Sequence, residues 1–265
     1  MKFALATLTA ALALTALPTV VRAEDAPSTS FNVGVVTDYR YRGISQSRLK
    51  PALQGGADYS NPNGLYLGTW LSTISWVKDA GKLVTPNVDS GSTPAEWDLY
   101  GGYKGEITKE VTYDVGGLYY LYVNNKTRNV PASGSAPAGA NANTFELYGA
   151  LTFGPVTAKY SHSLTDTFGY GKSKNSGYLD ITATFDLGSG FNLAPHIGHQ
   201  EIKGTTGLSY TDYSLTLGKD MGGGISLSAA LVGTDADKNL YVTPAANGGK
   251  FTGKNALVLG AKFSF

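Results

Sequence analysis

From residue 31 to its C-terminus this sequence is a succession of segments about ten residues long in which apolar and polar side chains alternate. That period of two belongs to a β-strand with unlike faces. Twelve such segments can be read: 31–41, 52–60, 65–74, 96–105, 110–123, 144–153, 155–164, 177–187, 190–202, 210–219, 224–235 and 255–265. After Ala23 no 3.6-residue period is sustained, and no apolar run approaches the ~20 residues of a membrane helix. The connections follow a rule of their own. Five are tight turns rich in Gly, Pro, Asn and Asp, at 61–64, 106–109, 154–155, 188–190 and 220–223, whereas 42–51, 75–95, 124–143, 165–176, 203–209 and 236–254 are mostly long. Long and short alternate along the whole chain. In an up-and-down antiparallel meander this puts every short turn at one end and every long loop at the other. Transmembrane barrels of the bacterial outer membrane have that asymmetry, and an even strand number.

Parity then assigns the faces. One face of strands six, eight, eleven and twelve reads Phe145, Leu147, Leu151, Phe153; Leu179, Ile181, Phe185, Leu187; Ile225, Leu227, Leu231; and Leu257, Leu259, Phe263, Phe265, separated only by Gly and Ala. A soluble barrel of twelve strands could not fill so wide an apolar bore, since side chains just fill a barrel of about eight. Turning that face toward lipid removes the difficulty, because closure pairs every backbone group and lipid supplies the apolar surroundings. The expected fold is therefore all-β, a transmembrane up-and-down antiparallel β-barrel of about 12 strands. Tyr39, Tyr41, Tyr59, Tyr103, Tyr113, Tyr119 and Tyr213 share the outward parity, as an interfacial aromatic girdle requires. Pro195 lies inside strand nine and cannot donate its ladder hydrogen bond, so a bulge or pairing break is expected there.

Residues 1–23 stand apart from this pattern. Lys2, the apolar stretch Phe3 to Ala16, Pro18 and Val21-Arg22-Ala23 read as a secretory signal peptide, leaving 24–265 as a single outer-membrane β-barrel domain. Of 21 basic residues, Lys2 and Arg22 leave with this leader, so 19 face 20 acidic ones, and no excess positive charge invites nucleic acid. At the other end Gly260, Phe263 and the terminal Phe265 resemble the signal read by the barrel assembly machinery.

Chemistry is harder to find. The absence of Cys removes thiolate metal sites and cysteine nucleophiles. His196 and His199, three apart, face opposite sides of a regular strand and cannot share an ion unless Pro195 bends it. Ser161 and His162 are adjacent and likewise face apart, so an outer-membrane hydrolase has no paired nucleophile and base here. Gly171-Lys172-Ser173 lacks the leading Gly and the helix of a phosphate loop. No catalytic residue, metal or cofactor is expected, and the chain is not read as an enzyme.

Function is then sought in the interior. Strand one points Asp38, Arg40 and Arg42 inward, joined by Asp58, Asp98, Lys104 and Asp114 from strands two, four and five. Glu146, Lys159, Asp180, His196, Asp212 and Lys262 continue the wall. Charges there are costly unless wet or paired, so they predict either a hydrated, solute-selecting lumen or a plug of bridged charges. Acidic groups outnumber basic ones, a bias toward cations. The long loops 75–95 and 124–143 hold few hydrophobic anchors, which predicts mobile, solvated loops.

One stretch carries a family likeness: Tyr39, Arg42, Gly43, Ser45 and Gln46 form a Tyr-x-x-Arg-Gly-x-Ser-Gln segment, followed by Pro51-Ala52-Leu53-Gln54-Gly55 and Gly64-Leu65-Tyr66-Leu67-Gly68-Thr69-Trp70. This resembles the TorF-type porins of bacterial outer membranes, in motif over about residues 31–76 and in architecture over the mature chain. The resemblance implies a β-barrel porin without naming a substrate. Residues and resemblance together lead to an expected outer-membrane porin passing small hydrophilic solutes by diffusion, with the strand-one charges and the Arg42–Gln46 loop as selectivity elements. The alternatives are a plugged barrel whose loops bind or adhere and, further off, an outer-membrane hydrolase.

Overall fold

A computed structural model describes residues 5–6, 20–21, 26–84, 86–133 and 137–265. The leader read over 1–23 lies outside the described residues, apart from a two-residue pairing of Leu5–Ala6 with Val20–Val21. The remainder is a closed antiparallel barrel of twelve strands. In chain order these are β1 (Ser28–Val36), β2 (Ala52–Ser60), β3 (Leu65–Thr73), β4 (Ala95–Glu106), β5 (Val111–Leu121) and β6 (Thr144–Phe153). They continue as β7 (Val156–Ser163), β8 in two segments (Gly177–Ala183 and Phe185–Gly188), β9 (Phe191–Glu201), β10 (Tyr210–Gly222), β11 (Ile225–Thr234) and β12 (Ala256–Ser264). Each strand pairs with its neighbours in sequence, and β12 closes on β1 through the register Gly260↔Val36 to Ser264↔Asn32. Phe31 and the terminal Phe265 extend this seam by exchanging backbone hydrogen bonds of 2.8 and 3.0 Å.

The apolar parity faces outward on all four strands that define it. Leu147, Leu151, Leu179, Ile181, Leu227, Leu231 and Leu259 are all exposed, and Phe265 is 66% exposed, stacked between Phe31 and Phe263. So much exposed aliphatic surface is what a lipid-facing wall presents. At the short-turn end, Asn61 caps its own turn, its Oδ1 accepting from Asn63 N at 3.1 Å while Gly64 N donates to Asn61 O at 2.9 Å. Gly64 holds φ +98°, and a β-carbon there would run into Lys104 O.

Expectations for segment 31–41, for Tyr39 and Tyr41 and for the long loops need correction, whereas the pairing break expected at Pro195 is present. Segment 31–41 is not one strand: β1 ends at Val36, and the chain turns into the barrel as a small separate hairpin, Arg40–Tyr41 against Ile44–Ser45. Its two-residue turn, Arg42 (φ 45°) and Gly43 (φ 76°), has the positive φ pair that tight hairpins favour. Asp-Tyr-Arg-Tyr-Arg alternates because it is extended, but it belongs to this inner hairpin and not to the wall. Tyr39 and Tyr41 consequently lie inside, Tyr39 only 1% exposed, while Tyr103 and Tyr213 stay on the outer surface. The break at Pro195 is confined to the β8 side, where β8 is interrupted at Thr184. Register is kept across it, from Thr182↔His196 to Phe185↔Leu193, and pairing of Pro195 with Leu215 on β10 is regular. Finally, the long loops pack on one another: Val77, Leu208 and Tyr241 are buried, and Ile44, Ile202, Leu208, Tyr210 and Tyr241 form an apolar cluster over the barrel mouth.

Candidate functional site

The interior has two tiers. In the one nearer the short turns, tyrosine rings lie flat against the wall. Tyr66 is registered with Gly102, Tyr100 with Gly68 and Tyr148 with Gly116, and a β-carbon at any of these glycines would overlap the facing ring. Alternating large and absent side chains in this way lets a narrow barrel carry big rings without filling its axis. This packing accounts for part of the chain's richness in Gly and Tyr. The hydroxyls reach carboxylates: Tyr66 donates to Asp114 and Tyr100 to Asp58, each at 2.5 Å, and Tyr178 to Asp212 at 3.0 Å. Lys104 sits 4.6 Å over the Tyr66 ring and Lys159 3.9 Å over that of Tyr148, attracted by the negative ring face. Lys262 stands on β12, two strands from Asp58. His196 contacts Asp180 at 3.0 Å and Asp212 at 3.7 Å. His199 faces outward and meets Thr211.

The upper tier is built around the inner hairpin. Arg40 is clamped by Asp38 at 2.6 Å and by the carbonyls of Gly43 (2.8 Å), Thr252 (2.9 Å) and Lys254 (3.1 Å). Ser45 donates to the same Asp38 at 2.5 Å, tying both strands of the hairpin to one carboxylate. Arg42 reaches from the hairpin turn to the wall: its guanidinium forks onto Glu146 on β6 at 2.7 and 3.1 Å and donates to Gln200 on β9 at 2.5 Å. It also lies 4.2 Å over the Tyr178 ring. Arg42 stands on the turn of the inner hairpin, where the next residue, Gly43, lies beside Asp212 and Thr234, so the hairpin and this side chain together link β10 and β11 to β6 and β9. Losing one partner of such a buried pair leaves the other charge uncompensated, at a cost of about 3–5 kcal/mol. Tyr39 and Tyr122 both donate to Glu96, at 2.5 and 2.6 Å, and Tyr41 bonds Tyr120 at 2.5 Å. The hairpin is thus fastened to β4, β5, β6 and β9 together.

Asp98, on β4 beside Glu96, is buried, and neither of its carboxylate oxygens has a hydrogen-bond partner. A buried polar group without hydrogen-bond partners destabilises the fold. Asp98→Leu is therefore expected to raise the temperature at which the refolded barrel loses its compact electrophoretic mobility. A lowered temperature would show that the carboxylate stabilises the fold.

Of the residues selected from sequence, Asp38, Arg40 and Arg42 come together in the hairpin, with Asp98, Glu146 and Asp212 around it. Asp58, Lys104, Asp114, Lys159, Asp180 and Lys262 lie below. Sequence reasoning missed Glu96, Tyr120, Tyr122 and Gln200, although Glu96 shares the parity of Asp98, and both tyrosines that of Asp114. It also missed a cavity of about 330 Å³ above the hairpin, lined by the long loops. Burial there pushes the Tyr170 phenol up to about 12 and that of Tyr241 well above its usual range, so both remain neutral.

Comparison with known proteins agrees with this architecture. The family model described as "Bacterial protein of unknown function (Gcw_chp)" matches residues 22–265. No curated protein matches the sequence. Among solved structures the chain is similar to the KdgM porin, at 7% identity and TM-score 0.54, covering 89% of this chain and 99% of that one. The NanC porin gives 13% identity and TM-score 0.54 with the same coverages. The COG4313 outer membrane channel from Pseudomonas putida F1 gives 14% and 0.51, covering 91% and 96%. At these identities the likeness is one of fold, a closed antiparallel β-barrel shared with these porins and this channel.

Proposed function

The chain belongs to the Gcw_chp family of bacterial proteins of unknown function, and we propose that it is an outer-membrane porin giving small hydrophilic solutes a narrow, diffusive path. The observation that carries this reading is the lower tier, a ring of Asp58, Lys104, Asp114, Lys159, Asp180 and Lys262 around a bore whose tyrosines lie flat on the wall. Such a wall needs water, and an outer-membrane barrel with a charged lumen tunes what passes through it. Its selectivity elements are those charges together with Asp38, Arg40, Arg42, Asp98, Glu146 and Asp212 at the constriction. The acidic excess inclines the path toward cations.

The rest of the molecule is consistent with this role. Export would use residues 1–23, and insertion by the barrel assembly machinery would use Gly260, Phe263 and Phe265 on the closing strand. The short turns would then face the periplasm and the long loops the exterior. The Tyr-x-x-Arg-Gly-x-Ser-Gln segment supports affinity with the TorF-type porins, and it is the segment that becomes the inner hairpin. That hairpin also favours a second reading. A barrel closed by Arg42 and Glu146 could be a scaffold that presents its loops.

A swelling assay separates the two. Liposomes containing the refolded protein should swell in iso-osmotic arabinose at a rate well above protein-free vesicles, and more slowly in a disaccharide. Swelling no faster than in protein-free vesicles, from a correctly folded barrel, would favour the scaffold.

A further inference from the structure

The cavity above the hairpin receives residues from all six long connections, so it is a feature the loops build together. Its wall is mostly apolar, with Tyr41, Trp76, Phe168, Tyr170, Tyr210 and Tyr241 supplying aromatic surface. These rings are fixed against one another: Tyr41 meets Phe168 edge-on at 5.3 Å, and Tyr210 meets Tyr241 at 5.2 Å. Most polar groups on the wall are already engaged, the buried Trp76 Nε1 being an exception. Gln200 holds Arg42 and donates to Gly177 O at 3.0 Å, and Gln46 donates to Ile44 O at 2.9 Å. The Tyr241 hydroxyl donates to Leu208 O at 2.5 Å, and the Arg48 fork is closed on Asp79. An ion entering here would lose its hydration and find no free counter-charge, which is prohibitive. A flat uncharged body would gain apolar contact on several sides.

Size narrows the choice. A cavity of ~150 Å³ lined by apolar side chains accepts benzene, so about 330 Å³ accommodates a fused bicycle. We infer that this vestibule binds an uncharged small molecule with a flat, fused-ring apolar body. The inference goes beyond the porin reading, because binding in the vestibule requires no conduction.

The test is isothermal titration of coumarin into the refolded full-length barrel in a nonionic detergent, with detergent alone as the blank. Saturable one-to-one binding is expected. Leu240→Arg, a change in the loop wall, should weaken it at least about tenfold, since it buries a charge in the cavity. Coumarin-3-carboxylate should be weakened to a similar degree. If Leu240→Arg does not refold, Val130→Trp on a different loop occupies the same space and should also abolish binding. Uptake equal to the detergent blank would overturn the inference, as would unchanged binding by these folded variants or equal affinity for the carboxylate. Conductance without coumarin binding strikes this inference alone. Coumarin binding by a barrel that does not conduct supports it and strikes the porin reading instead.

Discussion

Replacing Arg42 with Ala is expected to enlarge the single-channel conductance roughly two- to fivefold, by releasing the inner hairpin from the wall. Arg42 holds the hairpin against β6 and β9 through Glu146 and Gln200, and its guanidinium also lies over Tyr178. Without it Glu146 keeps only weaker neighbours, Tyr120 at 3.2 Å and Ser163 at 3.3 Å. A loss of about 3 kcal/mol from the seated hairpin would shift its closed-to-open ratio by roughly two orders of magnitude. Glu146→Gln should act in the same direction but less, because a Gln carbonyl can still accept from Arg42. Planar-bilayer recordings of the variants beside the unaltered protein decide this. Unchanged steps from a folded Arg42→Ala barrel would mean that the hairpin does not set the constriction.

Gly43→Val should open the barrel to a similar extent without touching a charge. Gly43 closes the hairpin turn at φ +76°, and a β-carbon there would meet Thr234 Cγ2 and come within 2.7 Å of Asp212 Cβ. A β-branched residue fits neither the backbone nor the space. Gly154 is the natural control, a turn glycine at φ +56° where a β-carbon would have nothing within 4 Å. Gly154→Ala should leave conductance unchanged and cost only the backbone strain. If Gly43→Val conducts like the unaltered protein, the turn tolerates displacement and the seating of the hairpin is not what narrows the bore.

The two substitutions bear on what the sequence could reveal. Strand β6 runs over Thr144–Phe153, the bounds its alternation predicts, because a residue on a wall between lipid and lumen has only two directions to face. The same logic failed at Asp38 to Arg42. Period two reports an extended backbone with unlike faces; it does not report which sheet the backbone joins. Tyr39 and Tyr41, placed outward by continuing the parity of β1, therefore lie inside on Glu96 and Tyr120. Arg42 was legible as an inward charge, yet its partners are 104 and 158 residues away, and no local pattern encodes them. The Tyr–Gly packing was within reach, since Tyr100 and Tyr148 share the parity of the inward acids Asp98 and Glu146. The vestibule was not, because its aromatic residues come one or two at a time from loops far apart in the chain.

The central claim, a hydrated path narrowed by an inner hairpin, is tested most directly by single-channel recording of the refolded protein across a salt gradient. Small discrete steps are predicted, with a reversal potential displaced toward cation selectivity and larger steps once Arg42 is replaced. A folded, heat-modifiable barrel that gives no steps, either as the unaltered protein or as Arg42→Ala, would contradict it.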